Sequence, residues 1–435
     1  MRRFLPTLLA FAQAVALAQD VPDAAQAAGR IGQAVEFQDE VKAVSFSRST
    51  KGYYLSFGAP YPKQVLSVWM PEKVFERLPL HRTMVGRTVR IAGQVETSPT
   101  GPLMKLDSID TFVVLETDES ILTKPTLDGK QDRYQFESAV SQTFRRGDFD
   151  TLETLGRELQ TSRERLNDGS WLSEAYFAAF RLGTQVAKER YVENEQLLAH
   201  WEQAKPTSTV LPMIKTGFHL DLAWKWRGEG YASSVTREGW VGFRKELAIA
   251  RRILDGDQTG KFYPEYYALM QTLALGEGWR KEKYMELFRE ATQVAPDYYR
   301  FYFNTAWYLM PQWHGRKGEW EAFVEQERQK HGAGGAGDGL YARIALSMKR
   351  NYHDLFNQTA ISWETTASGL EYLIRQHPES RSLKNLYAFH AWRQHDRPRL
   401  QRALPAIKPN PDMTIWVNLE NVAIAEKFAG IKSEP

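Results

Sequence analysis

The 435-residue sequence contains no cysteine. That absence excludes a disulfide framework, a lipid-attached cysteine near the N-terminus and any cysteine-bearing structural zinc site. Beyond the first eighteen residues no stretch approaches eighteen consecutive apolar residues free of charge, so no membrane span is expected in the rest of the chain. An excess of positive charge is missing too. Lys and Arg number 56 against 53 Asp and Glu, and setting Arg2 and Arg3 aside takes the formal +3 to +1. From Gln19 to Asp118 there are 11 basic and 12 acidic residues, and after that 43 and 41. Neither part has the basic surplus that neutralising phosphates requires, so nucleic acid is not an expected partner.

Catalytic and metal phrases are equally scarce. The nine histidines include no H-E-x-x-H, and His390 and His395, five apart, diverge on a helix. His219 stands two residues from Asp221, but no nucleophile phrase accompanies them. Gly332 to Gly337 spells G-x-G-x-x-G, yet a charged helix-like run precedes it where a dinucleotide site needs a strand. No catalytic residue, metal site or cofactor is therefore assigned. Paired carboxylates remain open, because their separation is a three-dimensional quantity.

What is present begins with an address. Arg2 and Arg3, an apolar stretch from Phe4 to Val15 and Ala16-Leu17-Ala18 have the order of a secretory signal, residues 1–18. The expectation is a periplasmic or secreted protein of a bacterial envelope. The 417 residues that would remain (435 less 18) suffice for a large core without disulfides and suggest two or three domains.

Residues 19–31 are Ala-rich and polar, and are expected to be a tether. From residue 32 to 118 the pattern alternates with period two. Strands are expected at Val35–Phe46, Tyr53–Phe57 and Val65–Met70, a short helix after Pro71 through Leu78, and strands at Thr88–Val95 and Met104–Leu115. Three strands, a helix and two strands is the order of a small OB-like β-barrel, and the segment resembles the OB-like modules of bacterial envelope proteins. On such a barrel Tyr54 and Trp69 share the outer face of strands two and three. There they would either stack on a sugar or base or lie against neighbouring structure.

Residues 119–131, with Pro125 and Asp128-Gly129, read as a linker. The rest reads as all-α: a helical-repeat domain over 132–331, a flexible Gly-rich linker over 332–339 and a helical continuation over 340–435. The densest stretch lies between Asp297 and Met310, where seven of fourteen residues are aromatic and none is Gly or Pro. They cover every face, so this helix is expected to be enclosed on all sides. Helix pairs at Phe262–Val294 and Pro296–Lys330, with Phe288, Ala291 and Pro296 at the second-helix spacing, suggest a tetratricopeptide-like α-solenoid, although Gln271 and Thr272 depart from its signature.

The phrases Leu159–Trp171, Trp201–Pro206, Trp224–Gly230, Trp240–Phe243 and Pro296–Trp320 resemble the domain of unknown function DUF 4034, over about residues 130 to 420. The W-x-x-R-G at Trp224 and the Y-L-M-P-x-W-x-G at Tyr308 carry most of the likeness. The resemblance implies a helical fold and a bacterial origin, and no activity.

Two clusters stand out as candidate binding residues. Trp224, Arg227, Glu229 and Tyr231 surround a glycine-flanked helix end, where Trp224 and Arg227 share a face. They would either frame a planar ligand or cap the helix and lock its neighbours. Trp313 and Arg316 flank a second Trp-Gly loop. The expected function is binding and scaffolding of protein or peptide partners on a helical-repeat surface. The alternative is a carbohydrate- or peptidoglycan-handling protein, a binder or a hydrolase, with Trp and Tyr as sugar platforms.

Overall fold

The computed structural model describes residues 21–47, 49–75, 84–107, 111–114, 133–184, 186–257, 260–408 and 411–430. The signal segment 1–18 and the linker 119–131 expected from the sequence lie outside them. The chain divides into two compact units, Met1–Glu116 and Thr117–Pro435.

The first unit is a β-sheet of strands β1 (Ala34–Ser47), β2 (Gly52–Phe57), β3 (Leu66–Pro71), β4 (Thr88–Ser98), β5 (Gly101–Lys105) and β6 (Phe112–Val114). Alternation fixes its inner face: Val35, Phe37, Val41, Leu55, Phe57, Val89, Ile91 and Val95 are buried. β1 is long enough to serve two partners. Its first half pairs with β4 and its second with β2, and the register shifts between Val41 and Ala43, where an extra residue bends the strand. With β2–β3 and β4–β5 antiparallel and β3–β5 parallel, the ladder returns to the strand where it began.

Two expectations fail here. Met104–Leu115 is not one strand: Met104 faces Val95 and Phe112 faces Ile91, so eight residues would have to match four of β4. The chain breaks into β5 and β6 instead. Nor is 19–31 a bare tether. It holds helix α1 (Ala24–Ala28), closed by a capping box in which Asp23 and Gln26 exchange hydrogen bonds of 2.8 and 3.1 Å. Ala24 and Ala27 are buried, and the Ala24 N–H donates to Asp39 of β1 at 3.2 Å. Helix α2 (Glu72–Phe75) stands where a helix was expected, and its continuation to Leu78 lies outside the described residues.

The second unit is helical. In order come α3 (Arg133–Arg145), α4 (Phe149–Thr161), α5 (Leu172–Ala178), α6 (Lys188–Ala204), α7 (Leu211–Arg227), α8 (Arg237–Gly256), α9 (Pro264–Gly276) and α10 (Lys281–Val294). They are followed by α11 (Arg300–Tyr308), α12 (Glu319–Lys330), α13 (Ala336–Met348), α14 (Leu355–Gln358), α15 (Trp363–Gln376), α16 (Arg381–Arg393), α17 (Arg397–Ile407), α18 (Met413–Trp416) and α19 (Leu419–Ala429). Many starts follow from side chains that accept from the first turn: Thr236 for α8, Ser362 for α15, Ser380 for α16 and Asp396 for α17. α18 and α19 are separate helices, because Val417 takes a left-handed backbone and Asn418 caps a new helix by accepting from Asn421 N–H at 2.9 Å. Among the described residues no helix is long and apolar enough to cross a membrane.

Helix α11 is only partly enclosed. Tyr298, Phe301, Tyr302 and Tyr308 are buried, but Tyr299, Phe303 and Trp307 are half-buried. These three are four residues apart and so form one stripe. The expectation of cover on every side is corrected to cover on all but one.

The Gly-rich stretch is not a flexible linker either. Gly332 and Gly334 take left-handed backbones, the Gly334 N–H donates to Asp338 at 2.9 Å and the Arg328 guanidinium to the same oxygen at 2.6 Å. Helix α13 starts within it, and its small residues sit against α15: a Cβ on Gly369 would come within 2.0 Å of the Asp338 carbonyl oxygen. The glycines serve close packing. Two apolar clusters fill the unit, one from Phe136 to Ile361 and one from Ala342 to Ala429, and α13 contributes to both.

Candidate binding site

The C-terminal end of α7 supplies the first wall. The helix stops at Gly228, whose φ of 73° suits glycine and whose N–H returns to the Trp224 carbonyl at 2.9 Å. Arg227 bends back over this stop and donates to the carbonyls of Gly228 (3.1 Å) and Gly230 (3.0 Å). Next to it Lys225 donates to the carbonyls of Thr184 (3.1 Å) and Val186 (2.6 Å), holding the loop before α6 against α7.

The turn after α11 supplies the opposite wall. The Trp313 N–H donates to the Met310 carbonyl at 2.9 Å, and Gly315 lies so close to the end of α11 that a Cβ there would fall 1.7 Å from the Leu309 oxygen. Trp313 therefore has a fixed place. It meets Trp224 edge-on at 5.4 Å and Trp307 at 6.0 Å, while Trp224 packs on Phe243 of α8 at 5.2 Å. The Arg227 guanidinium sits 4.9 Å from the Trp313 ring centre and 5.7 Å from that of Trp224. Burial alone lowers the Arg227 pKa from its ordinary value.

These residues enclose a cavity of about 580 Å³, which Gln271, Asn304 and Arg350 also line. That volume is within the range of pockets that take drug-sized ligands, about 300–1,000 Å³. Arg350 lies 5.6 Å over Trp307, exposed and with no carboxylate partner among the described residues. Glu229 is the single carboxylate of the lining, and it accepts from the Thr184 hydroxyl. The Trp313 indole N–H is buried without a hydrogen-bond partner.

Trp224, Arg227, Glu229 and Trp313, proposed from two separate stretches of sequence, thus meet in one cavity. Tyr231 and Arg316 do not join them. Tyr231 is 81% exposed, and the Arg316 N–H donates to Glu319 at the start of α12. In the β unit, Tyr54 and Trp69 stand directly opposite each other on β2 and β3, half-buried, and the Trp69 indole donates to Thr50 at 3.2 Å. The sequence reading missed Trp307 and Arg350. The spacing of Tyr299, Phe303 and Trp307 was the available signal for the first; nothing local marks the second.

Elsewhere, His219 pairs with Glu246 at 2.8 Å while Asp221 is taken by Arg181 at 2.5 Å, so the two do not form a base and its orienting acid. No group of three or more His, Asp or Glu among the described residues is placed to hold a metal ion. Comparison with family models, with curated proteins and with solved structures returned no match. What the cavity does must be argued from its own geometry.

Proposed function

We propose that the chain is an exported binding and scaffolding protein of a bacterial envelope. Its helical unit would grip an extended protein segment that presents aromatic and acidic side chains. On this reading the first unit is an OB-like barrel and the second a tetratricopeptide-like stack of the DUF 4034 kind. The returning strand ladder and the consecutive helix pairs α9–α10 and α11–α12 support these assignments.

The observation that carries the proposal is the position of Arg227 over both Trp224 and Trp313. A sugar platform needs a bare aromatic face, and the guanidinium takes up that space. A glycosidase needs two carboxylates about 5 to 10 Å apart, and the cavity lining offers Glu229 alone. Trp307 with the unpaired Arg350 above it suits a side chain that is flat, acidic or both. The same α11 face continues from Trp307 to Phe303 and Tyr299, about 12 Å at 1.5 Å per residue, a length covered by three or four residues of extended chain.

The test uses the three cavity tryptophans as reporters. Synthetic hexapeptides with Trp-Glu, Leu-Glu or Ala-Ala at the centre are titrated against the full chain and compared with chito-oligosaccharides. Trp-Glu peptides are expected to change the fluorescence saturably, with Arg350→Ala weakening them several-fold. Saturable binding of the oligosaccharide alone would overturn the reading.

A further inference from the structure

Helices α11 and α13 meet at two rungs. The Arg343 guanidinium lies 4.3 Å over the Tyr299 ring, and the Arg350 guanidinium, in the short turn after α13, lies 5.6 Å over Trp307. The rungs are eight residues apart on one stretch (299 to 307) and seven on the other (343 to 350), so the two stretches run side by side in the same order. At 1.5 Å per residue the rungs are about 12 Å apart.

Each end of this seam opens on a cavity. At the Trp307 end is the cavity of about 580 Å³ already described. The other, of about 250 Å³, is lined by Tyr299 and Phe303 of the first stretch and by Arg343 and Leu346 of the second. Leucines of α15 and α16, Leu373 and Leu386 among them, complete its apolar wall. Phe303, Leu346 and Leu386 are only half-buried, so apolar surface there is still open to cover.

The two cavities differ in charge. In the larger, Arg227 and Arg350 outnumber Glu229, which leaves one positive charge for an acid. In the smaller, Arg133 and Arg343 balance Asp168 and Glu174. All four are engaged: Arg133 donates to Glu174 at 3.0 Å, Arg343 donates to the Asp168 carbonyl, and the Asp168 carboxylate accepts from the Ser170 hydroxyl at 2.6 Å. A charged group entering there would find no net charge to offset its lost hydration, so the fitting occupant is neutral. The volume, below the about 300 Å³ at which pockets for drug-sized ligands begin, suits one side chain.

We propose that the seam between α11 and α13 reads two side chains of one extended protein segment: an acidic one at Trp307 and Arg350, and a neutral aliphatic one, such as leucine, in the smaller cavity. The inference rests on the peptide reading above and adds a second anchor to it. Along an extended chain the side chains alternate in direction and rise about 3.3 Å per residue, so anchors on one side are two or four positions apart, about 7 or 13 Å. Phe303 and Tyr299, four and eight residues before Trp307, lie about 6 and 12 Å from it along the helix, which matches both spacings. A spacing of three turns the second side chain away.

The experiment is calorimetric titration of the full chain with octapeptides of alanine and glutamine, acetylated and amidated so that their ends carry no charge. Each holds one glutamate, with leucine two, three or four positions from it in either order, or with alanine or lysine in the leucine's place. Leucine at two or four positions is expected to tighten binding about tenfold or more over alanine, as burial of a whole aliphatic side chain implies. Lysine there should give no such gain, and leucine at three positions little of it. A gain in one order alone sets the direction of the bound segment and upholds the seam. Leu346→Trp, which narrows the smaller cavity, should remove the leucine gain; if that variant does not fold, the wild-type series decides by itself. Glutamate peptides that bind equally with leucine or alanine would overturn this inference and leave the peptide reading standing. No binding by any peptide would overturn both. Equal gains at all three spacings, or from lysine as from leucine, would also refute it.

Discussion

His390 on α16 offers the sharpest check on how the C-terminal helices are packed. It is buried among rings, with Phe389 at 5.4 Å and Phe356 at 5.8 Å, and its Nε2 has no hydrogen-bond partner. Burial first, and then Lys349 and Arg393 nearby, push its pKa down to about 3, against a weaker opposite pull from Asp354. The unfolded chain takes up a proton on this ring as pH falls through about 6.5, whereas the folded chain does not until about 3. Protons therefore favour unfolding across that window: stability is flat above about 6.5 and is lost as pH falls towards 3. Between pH 7 and pH 5 the loss from this one group is about 2 kcal/mol, roughly 1.36 kcal/mol per unit over the part of the range below 6.5. Urea unfolding of the wild type and of His390→Leu at pH 7, 6 and 5 would read the difference between them. The wild type should lose about 2 kcal/mol more than the variant over that range. Parallel losses, or an NMR titration of the His390 ring with a midpoint near 6.5, would refute the reasoning.

Other outcomes follow from the same packing. Gly369→Ala forces a Cβ to within 2.0 Å of the Asp338 carbonyl, so α13 and α15 must separate; a loss of about 1–3 kcal/mol in chemical unfolding is expected. Phe301→Ala, on the enclosed side of α11, should cost about 3–5 kcal/mol, and Trp307→Ala, on its open stripe, clearly less in the same assay. Asp221→Asn removes one partner of a buried pair in which Asp221 accepts from the Arg181 guanidinium and the Leu182 N–H; thermal unfolding should report a loss of about 3–5 kcal/mol. Arg227→Ala frees the Gly228–Gly230 turn and uncovers two indoles. A loss of about 1–2 kcal/mol and a shift of the tryptophan emission should accompany it.

Much of the architecture was legible in the residues, and the parts that were not have physical reasons. Alternation reports burial on one face, so β1 to β4 could be placed; it does not report which strand a residue pairs with, so β5 and β6 merged into one. The two Trp-Gly phrases stood out because each combines a helix stop with a large ring, and the fold brings Trp224 and Trp313 to 5.4 Å. Composition misled at 332–339, where glycine serves contact between helices rather than freedom of the chain. It misled again at α11, where counting rings concealed that three of them recur every fourth residue.

Helix α13 belongs to both apolar clusters of the second unit, with Leu340, Tyr341, Ile344 and Ala345 turned to one and Ala342 to the other. A rod with two such commitments works as a common wall: neither room stands without it. Severing the chain near residue 335 would thus expose hydrophobic surface on both sides of the cut, and the fragments should associate or precipitate rather than persist as two independent folded halves.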